Sequence, residues 1–157
     1  QKVKLRRLFK LGVLSFILVS AVPAGAQKDN AFQHSEIVIE SKSGNHKFKV
    51  EIARTQKQLA LGLMFRRSLS PNEGMLFDYK RPQNVGMWMK NTLIPLDMLF
   101  IDASGRIINI HERAVPGSLE SIPSRKPVLG VVELNGGTVS RFGVRLGDKV
   151  RHPIFGD

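Results

Sequence analysis

From Glu36 onward, turn residues cut the chain into short apolar runs, and this punctuation constrains the fold more than any other feature. Glu36-Ile37-Val38-Ile39-Glu40 has the composition of a strand, and Ser43-Gly44-Asn45 signals a turn. His46 to Ala53 then alternates, with Phe48, Val50 and Ile52 on one face, so the two runs predict a hairpin. Pro71-Asn72-Glu73-Gly74 predicts a turn, Met75 to Tyr79 a short strand, Arg81 to Asn84 a loop and Val85 to Lys90 a further strand. Met98 to Asp102 and Arg106 to His111 flank Ala103-Ser104-Gly105, a second hairpin signal. Arg113 to Lys126 holds two Pro, a Gly and three Ser without a period, and predicts the longest loop. Pro127 to Leu134 and the end of Leu146 to Val150 complete the strands.

Two short helices interrupt this series. Thr55-Gln56-Lys57-Gln58 spells a capping box, in which Thr55 accepts from the Gln58 amide and Gln58 reaches back to Thr55. Gly62 suits the end of that helix. Thr138 is the expected cap of a helix closed by Gly143. Many short strands with two short helices predict a compact, mostly β single domain of barrel or sandwich type.

Residues 1–26 read as a targeting segment outside that domain. Lys2, Lys4, Arg6, Arg7 and Lys10 form a basic stretch, Leu11 to Val22 an apolar run, and Ala24-Gly25-Ala26 an A-x-A cleavage site. The apolar run is shorter than the roughly 20 residues that span a bilayer, so the expectation is a cleaved export signal. The protein would then be periplasmic or secreted, and only an uncut leader would touch a membrane. Residues 27–35 read as a flexible lead-in and 36–157 as the domain.

Five of the 24 basic residues and none of the 13 acidic ones lie in the leader, so the net charge falls from +11 to +6 without it. A domain of that charge suits anionic envelope polymers. The scattered basic residues and the absence of an RNP-like motif argue against nucleic acid. With no Cys, zinc–thiolate sites and cysteine nucleophiles are excluded, and the core alone must hold the fold. His34, His46, His111 and His152 stand far apart without metal-ligand spacing, so neither a metal nor another cofactor is called for.

The chemistry concentrates in Met87 to Asp97. This stretch holds the only Trp and sets Trp88, Lys90, Asn91, Thr92 and Asp97 among apolar neighbours. Unpartnered burial of such polar groups costs a few kcal/mol each, on the order of 2–7. They therefore either bond to one another and the backbone or face a site. Lys90 reads as a binding cation, as a base or nucleophile if burial lowers its pKa, or as a lysine paired with Asp97. Trp88 reads as a stacking platform or a core residue. Asn91 and Asp97 read as ligands or as turn caps. Glu133 ends an apolar strand, where a carboxylate needs a partner such as Arg66, Arg54 or Lys90. Asp97 and Glu133 would serve a glycosidase only if about 5–10 Å apart across one cleft.

Several motifs together resemble the domain of unknown function 192 family. They are Gly62-Leu63-Met64-Phe65-Arg66, Gly74-Met75-Leu76-Phe77, and Trp88-Met89-Lys90-Asn91-Thr92 with Ile94-Pro95-Leu96-Asp97 and Phe100-Ile101-Asp102. Glu133-Leu134 with Gly137, and Gly147-Asp148, follow in order. The resemblance spans about Ile37 to His152. It implies a mostly β sandwich or barrel, often exported, and no reaction. Many members carry Glu and Arg in the helix before Gly-Leu-Met, whereas this chain has Gln58, Leu59 and Leu61 there.

The residues thus favour a binding domain over an enzyme. Trp88, Lys90, Asn91, Thr92 and Asp97, supported by Arg66 and Glu133, would form a site for an envelope glycan or a small anionic ligand. A hydrolase using Asp97 and Glu133, with Lys90 as a further catalytic candidate, is the alternative. A structural accessory that binds a partner protein is the third reading.

Overall fold

The computed structural model describes residues 31–156. The hairpin β1 (Gln33–Ser41) and β2 (Gly44–Ala53) leads into helix α1 (Gln56–Leu61). Strands β3 (Glu73–Gln83), β4 (Gly86–Met87), β5 (Leu96–Ile101), β6 (Ile107–Ala114), β7 (Ile122–Pro123) and β8 (Val128–Asn135) follow. Helix α2 (Thr138–Phe142), β9 (Lys149–Arg151) and a 3-10 turn (Pro153–Phe155) end the chain. Seven strands form one curled sheet in the order β6-β5-β8-β3-β2-β1-β9, and β4 pairs with β7 as a separate ribbon. The mostly β single domain expected from the punctuation is the fold found.

The curl brings the two sheet edges together. Val150 N–H donates to Gly105 O at 2.8 Å, Ile107 N–H to Asp148 O at 2.9 Å and Gly147 N–H to Ile107 O at 2.8 Å. Backbone groups that an open edge would leave unpaired are thereby satisfied. Each strand then has an inner and an outer face. The inner face buries Ile37, Phe48, Val50, Leu76, Leu99, Val132 and Leu134 with Val139 of α2. The outer face buries Met75, Phe77, Met98, Phe100 and Val131 under Leu63, Met87, Met89 and Ile122. Both faces of the central strands are apolar, so β5 is buried along its whole length.

Local chemistry explains where elements begin and end. Thr55 and Gln58 form the capping box, with Gln58 N–H to Thr55 Oγ1 at 3.2 Å and Thr55 N–H to Gln58 Oε1 at 3.1 Å. β1 starts at Gln33, inside the stretch read as lead-in, because β2 is long enough to pair it from Gln33↔Ile52 onward. β3 runs on to Gln83 rather than stopping at Tyr79. Its register shifts between Asp78 and Gln83, with Lys80 at φ 64° and Lys80 N–H held by Asp78 Oδ1 at 2.9 Å. A bulge of this kind breaks the alternation that marks a strand in sequence. Only Gly86–Met87 of the Val85–Lys90 run is strand, and the long loop contributes its partner, β7. The leader reading of residues 1–26 falls outside the described residues.

Candidate functional site

Trp88 and Lys90 are where the outer face opens to solvent. Met87 and Met89 point inward and are buried, so alternation turns Trp88 and Lys90 outward. Trp88 is 47% exposed, and the Lys90 ammonium lies 5.1 Å from its ring centroid. That distance is within cation–π range. The turn after Trp88 is held on both sides. Met89 N–H donates to Ser118 O at 3.0 Å, Thr92 N–H to Met89 O at 3.0 Å, and Gly117 N–H to both Met89 O and Thr92 O at 3.1 Å. Asn91 takes φ 54°, a left-handed conformation Asn tolerates, and its carbonyl accepts from Phe65 N–H at 2.8 Å. Thr92 is buried, with its hydroxyl donating to Lys90 O at 3.3 Å.

Trp88 forms one wall of a groove of about 580 Å³ between α1, the outer end of β3, and β4. Arg54, Leu59, Asp78, Tyr79, Lys80 and Gln83 are among its other lining residues. Arg54 Nε donates to Asp78 Oδ2 at 2.9 Å and its Nη1 to Gln33 Oε1 at 2.8 Å, which fixes the guanidinium at the groove edge. Tyr79 donates its hydroxyl to Met87 Sδ at 3.3 Å. Burial, with Glu133 nearby as a lesser cause, pushes the Tyr79 phenol above its usual range. It therefore stays protonated, with its hydrogen held by Met87 Sδ.

Asp97 and Glu133 do not join this groove. In the ladder Asp97 pairs with Leu134 and Met98 with Glu133. Opposed residues share a face, so Asp97 sits on the inner face and Glu133 on the outer. Asp97 is fully buried, and its carboxylate takes three backbone amides. Oδ1 accepts from Arg113 N–H at 2.8 Å, both oxygens lie 3.0 Å from Gly137 N, and Oδ2 accepts from Val139 N–H at 2.8 Å. This caps α2 from another strand, which is why Gly137, at φ 94°, rather than Thr138 is the N-cap. Asp97 is not paired with Lys90. Glu133 lies between Met75 and Met98 on the neighbouring strands, and burial pushes its carboxyl up to about 8. Arg66 sits apart, bonded to Glu51 in a second groove lined also by His34, Glu36, Lys49 and Glu73.

The geometry therefore brings together Trp88, Lys90 and Asn91 from the sequence-derived set, and separates Asp97, Glu133 and Arg66. Arg54, Asp78, Tyr79, Lys80 and Gln83 were not visible as site residues in the sequence. Their one local signal is the polar run Asp78-Tyr79-Lys80-Arg81 directly after the buried Met75-Leu76-Phe77. The groove offers an aromatic face, cations and amides, a set suited to holding a ligand. Its carboxylate, Asp78, is bonded to the Arg54 guanidinium and the Lys80 amide.

Comparisons with known proteins agree with the fold. No curated protein matches the sequence. A crystal structure from Sinorhizobium meliloti 1021, of a proposed transcription regulator, superposes with a TM-score of 0.77 at 46% identity, over 79% of this chain and 97% of that one. A protein of unknown function from Novosphingobium aromaticivorans DSM 12444 superposes with a TM-score of 0.75 at 36% identity, over 90% of this chain and all of that one (100%). The model of DUF192, Uncharacterized ACR, matches residues 37–152, which include every motif noted above from Gly62 to Asp148, and the chain belongs to that family.

Proposed function

We propose that this is an exported binding domain that holds an envelope glycan or a small anionic ligand in the groove beside Trp88. One observation carries the reading. Trp88 is 47% exposed on the wall of a groove of about 580 Å³, with the Lys90 ammonium over its ring. Large aromatics are mostly buried on average, so a solvent-facing Trp beside a cation and a cleft favours ligand contact. The sugar ring or planar ligand stacks on the indole, while Lys90 and Lys80 supply positive charge. The basic and apolar pattern of residues 1–26 supports export to the periplasm or beyond.

The hydrolase alternative lacks support, because Asp97 and Glu133 project from opposite faces of the sheet. Asp97 favours the structural reading for its own part of the motif, since all its contacts are backbone amides. Among the described residues, no recognition helix supports a regulator's role like the one proposed for the Sinorhizobium protein. The two described α-helices have 6 and 5 residues, too short to fill a major groove.

The test is a thermal-shift screen of cell-wall fragments, oligosaccharides and anionic sugars, followed by titration calorimetry of any hit. A ligand of the native state raises the melting temperature by mass action. Trp88→Ala is expected to weaken binding at least about tenfold, or about 1.4 kcal/mol, and Lys90→Ala to weaken anionic ligands selectively. Absence of a shift with every class, or unchanged affinity in Trp88→Ala, would defeat the proposal.

A further inference from the structure

Among the described residues, seven large apolar side chains are exposed, and six of them belong to three short segments. Leu61 and Phe65 lie on 61–67, Trp88 and Leu93 on 88–93, and Val115 and Leu119 on 115–119. The segments are neighbours, because backbone hydrogen bonds join them. Phe65 N–H donates to Asn91 O at 2.8 Å, Met89 N–H to Ser118 O at 3.0 Å, and Gly117 N–H to Thr92 O at 3.1 Å. Phe65, Leu93 and Leu119 are 62%, 54% and 69% exposed, although their segments are tightly bonded. Soluble domains seldom gather their exposed apolar side chains in one place without a partner.

Charge and chain entry point to the partner. Arg66, Arg67 and Lys90 are the only charged residues on the three segments. Arg66 is bonded to Glu51, which leaves Arg67 and Lys90 as the positive charge of the patch. Phe65 and Leu93 flank this basic group, and Trp88 lies under the Lys90 ammonium. Aromatic and aliphatic side chains interleaved with cations suit the boundary between lipid headgroups and acyl chains. The described chain also begins at this end. Gln58 Nε2 donates to Ala31 O at 3.1 Å, and the Arg66 guanidinium lies 5.9 Å from the Phe32 ring centroid. Chain preceding Ala31 therefore joins the domain beside the patch, and an uncut leader, with its apolar run Leu11–Val22 and five basic residues, would attach there.

We propose that the loops 61–67, 88–93 and 115–119 form a docking surface for an anionic lipid bilayer. Phe65, Leu93, Val115 and Leu119 enter the headgroup region while Arg67 and Lys90 meet phosphate. The surface adds a bilayer contact within the domain itself to whatever contact residues 1–26 make. It does not depend on the groove ligand proposed above.

Trp88 is the only Trp, so the full chain carries its own reporter at the patch. Phosphatidylglycerol vesicles are expected to shift Trp88 emission to the blue, and brominated acyl chains to quench it. Phe65→Ser with Leu93→Ser and Leu119→Ser should weaken this partitioning by about tenfold or more. These side chains are exposed, so the melting temperature should hold. If the triple variant does not fold, brominated-lipid quenching of the wild type decides alone. Vesicle binding with unmoved emission would show attachment through residues 1–26 only and overturn the proposal. So would an equal shift on uncharged phosphatidylcholine vesicles, or a shift produced by soluble glycerol phosphate, which assigns the headgroup to the groove. A shift that grows with protein concentration in the absence of vesicles would assign the patch to a second copy of the chain.

Discussion

Replacing Asp97 by Asn changes one oxygen into an NH2 group and almost nothing in volume. The wild-type carboxylate accepts from Arg113, Gly137 and Val139 amides and joins β5, the end of β6 and the start of α2. The asparagine amide keeps one acceptor, and in either rotamer its NH2 faces the Arg113 or the Val139 amide. Gly137, bonded to both oxygens, keeps at most one of them. A hydrogen bond to a charged group contributes about 1.5–3 kcal/mol, and a buried donor left unpaired costs about 1–3. One amide orphaned and two bonds to a charge weakened predict a loss of about 2–4 kcal/mol for Asp97→Asn. Asp97→Ala removes all three acceptor contacts and is expected to cost on the order of 5 kcal/mol. Domains of this size hold only about 5–15 kcal/mol in total, so both changes are large. Urea unfolding at pH 7 measures the loss, and amide hydrogen exchange should show Gly137 and Val139 losing protection first. A loss below about 0.5 kcal/mol for Asp97→Asn, the usual scale of surface changes, would refute the reasoning.

Two further outcomes follow from the same sheet. Burial raises the Glu133 carboxyl from its usual 4.5 to about 8. The folded chain therefore holds one more proton than the unfolded chain between those values, and this group makes stability fall with rising pH by about 1.4 kcal/mol per unit across the window. Its penalty is absent below pH 4.5 and levels off above pH 8. Glu133→Gln should remove that slope and be the more stable form at pH 7 to 8, as read from the difference between the two denaturation curves. Parallel curves would count against a buried, proton-holding Glu133. Gly74 lies where β3 meets β8, and an added Cβ would fall 2.4 Å from Glu133 O and 2.7 Å from Leu134 Cδ2. Gly74→Ala must separate two central strands and is expected to cost about 1–3 kcal/mol in thermal or urea unfolding. A neutral result would mean the ladder yields there without strain.

Much of this protein follows from local chemistry that a sequence carries. Alternation of apolar residues placed Phe48, Val50 and Ile52 on one buried face, and the Thr55–Gln58 box capped α1, because both depend on neighbours a few residues away. The same alternation separated the buried Met87 and Met89 from the exposed Trp88 and Lys90. The ordered motifs sufficed for the family. What the sequence left open were the outcomes of long-range pairing. The bulge after Asp78 hid the outer end of β3, and β7 escaped notice because two residues show no period. Asp97 lies 42 residues from Val139, whose amide it caps, so its role depends on β5 pairing with β8, the strand that leads into α2. Sheet register alone decided that Asp97 and Glu133 face opposite ways, since a step of one residue along a strand reverses the face. The Met87–Asp97 stretch thus announced its polar residues locally, while only the tertiary fold divided them between a structural staple and an open surface.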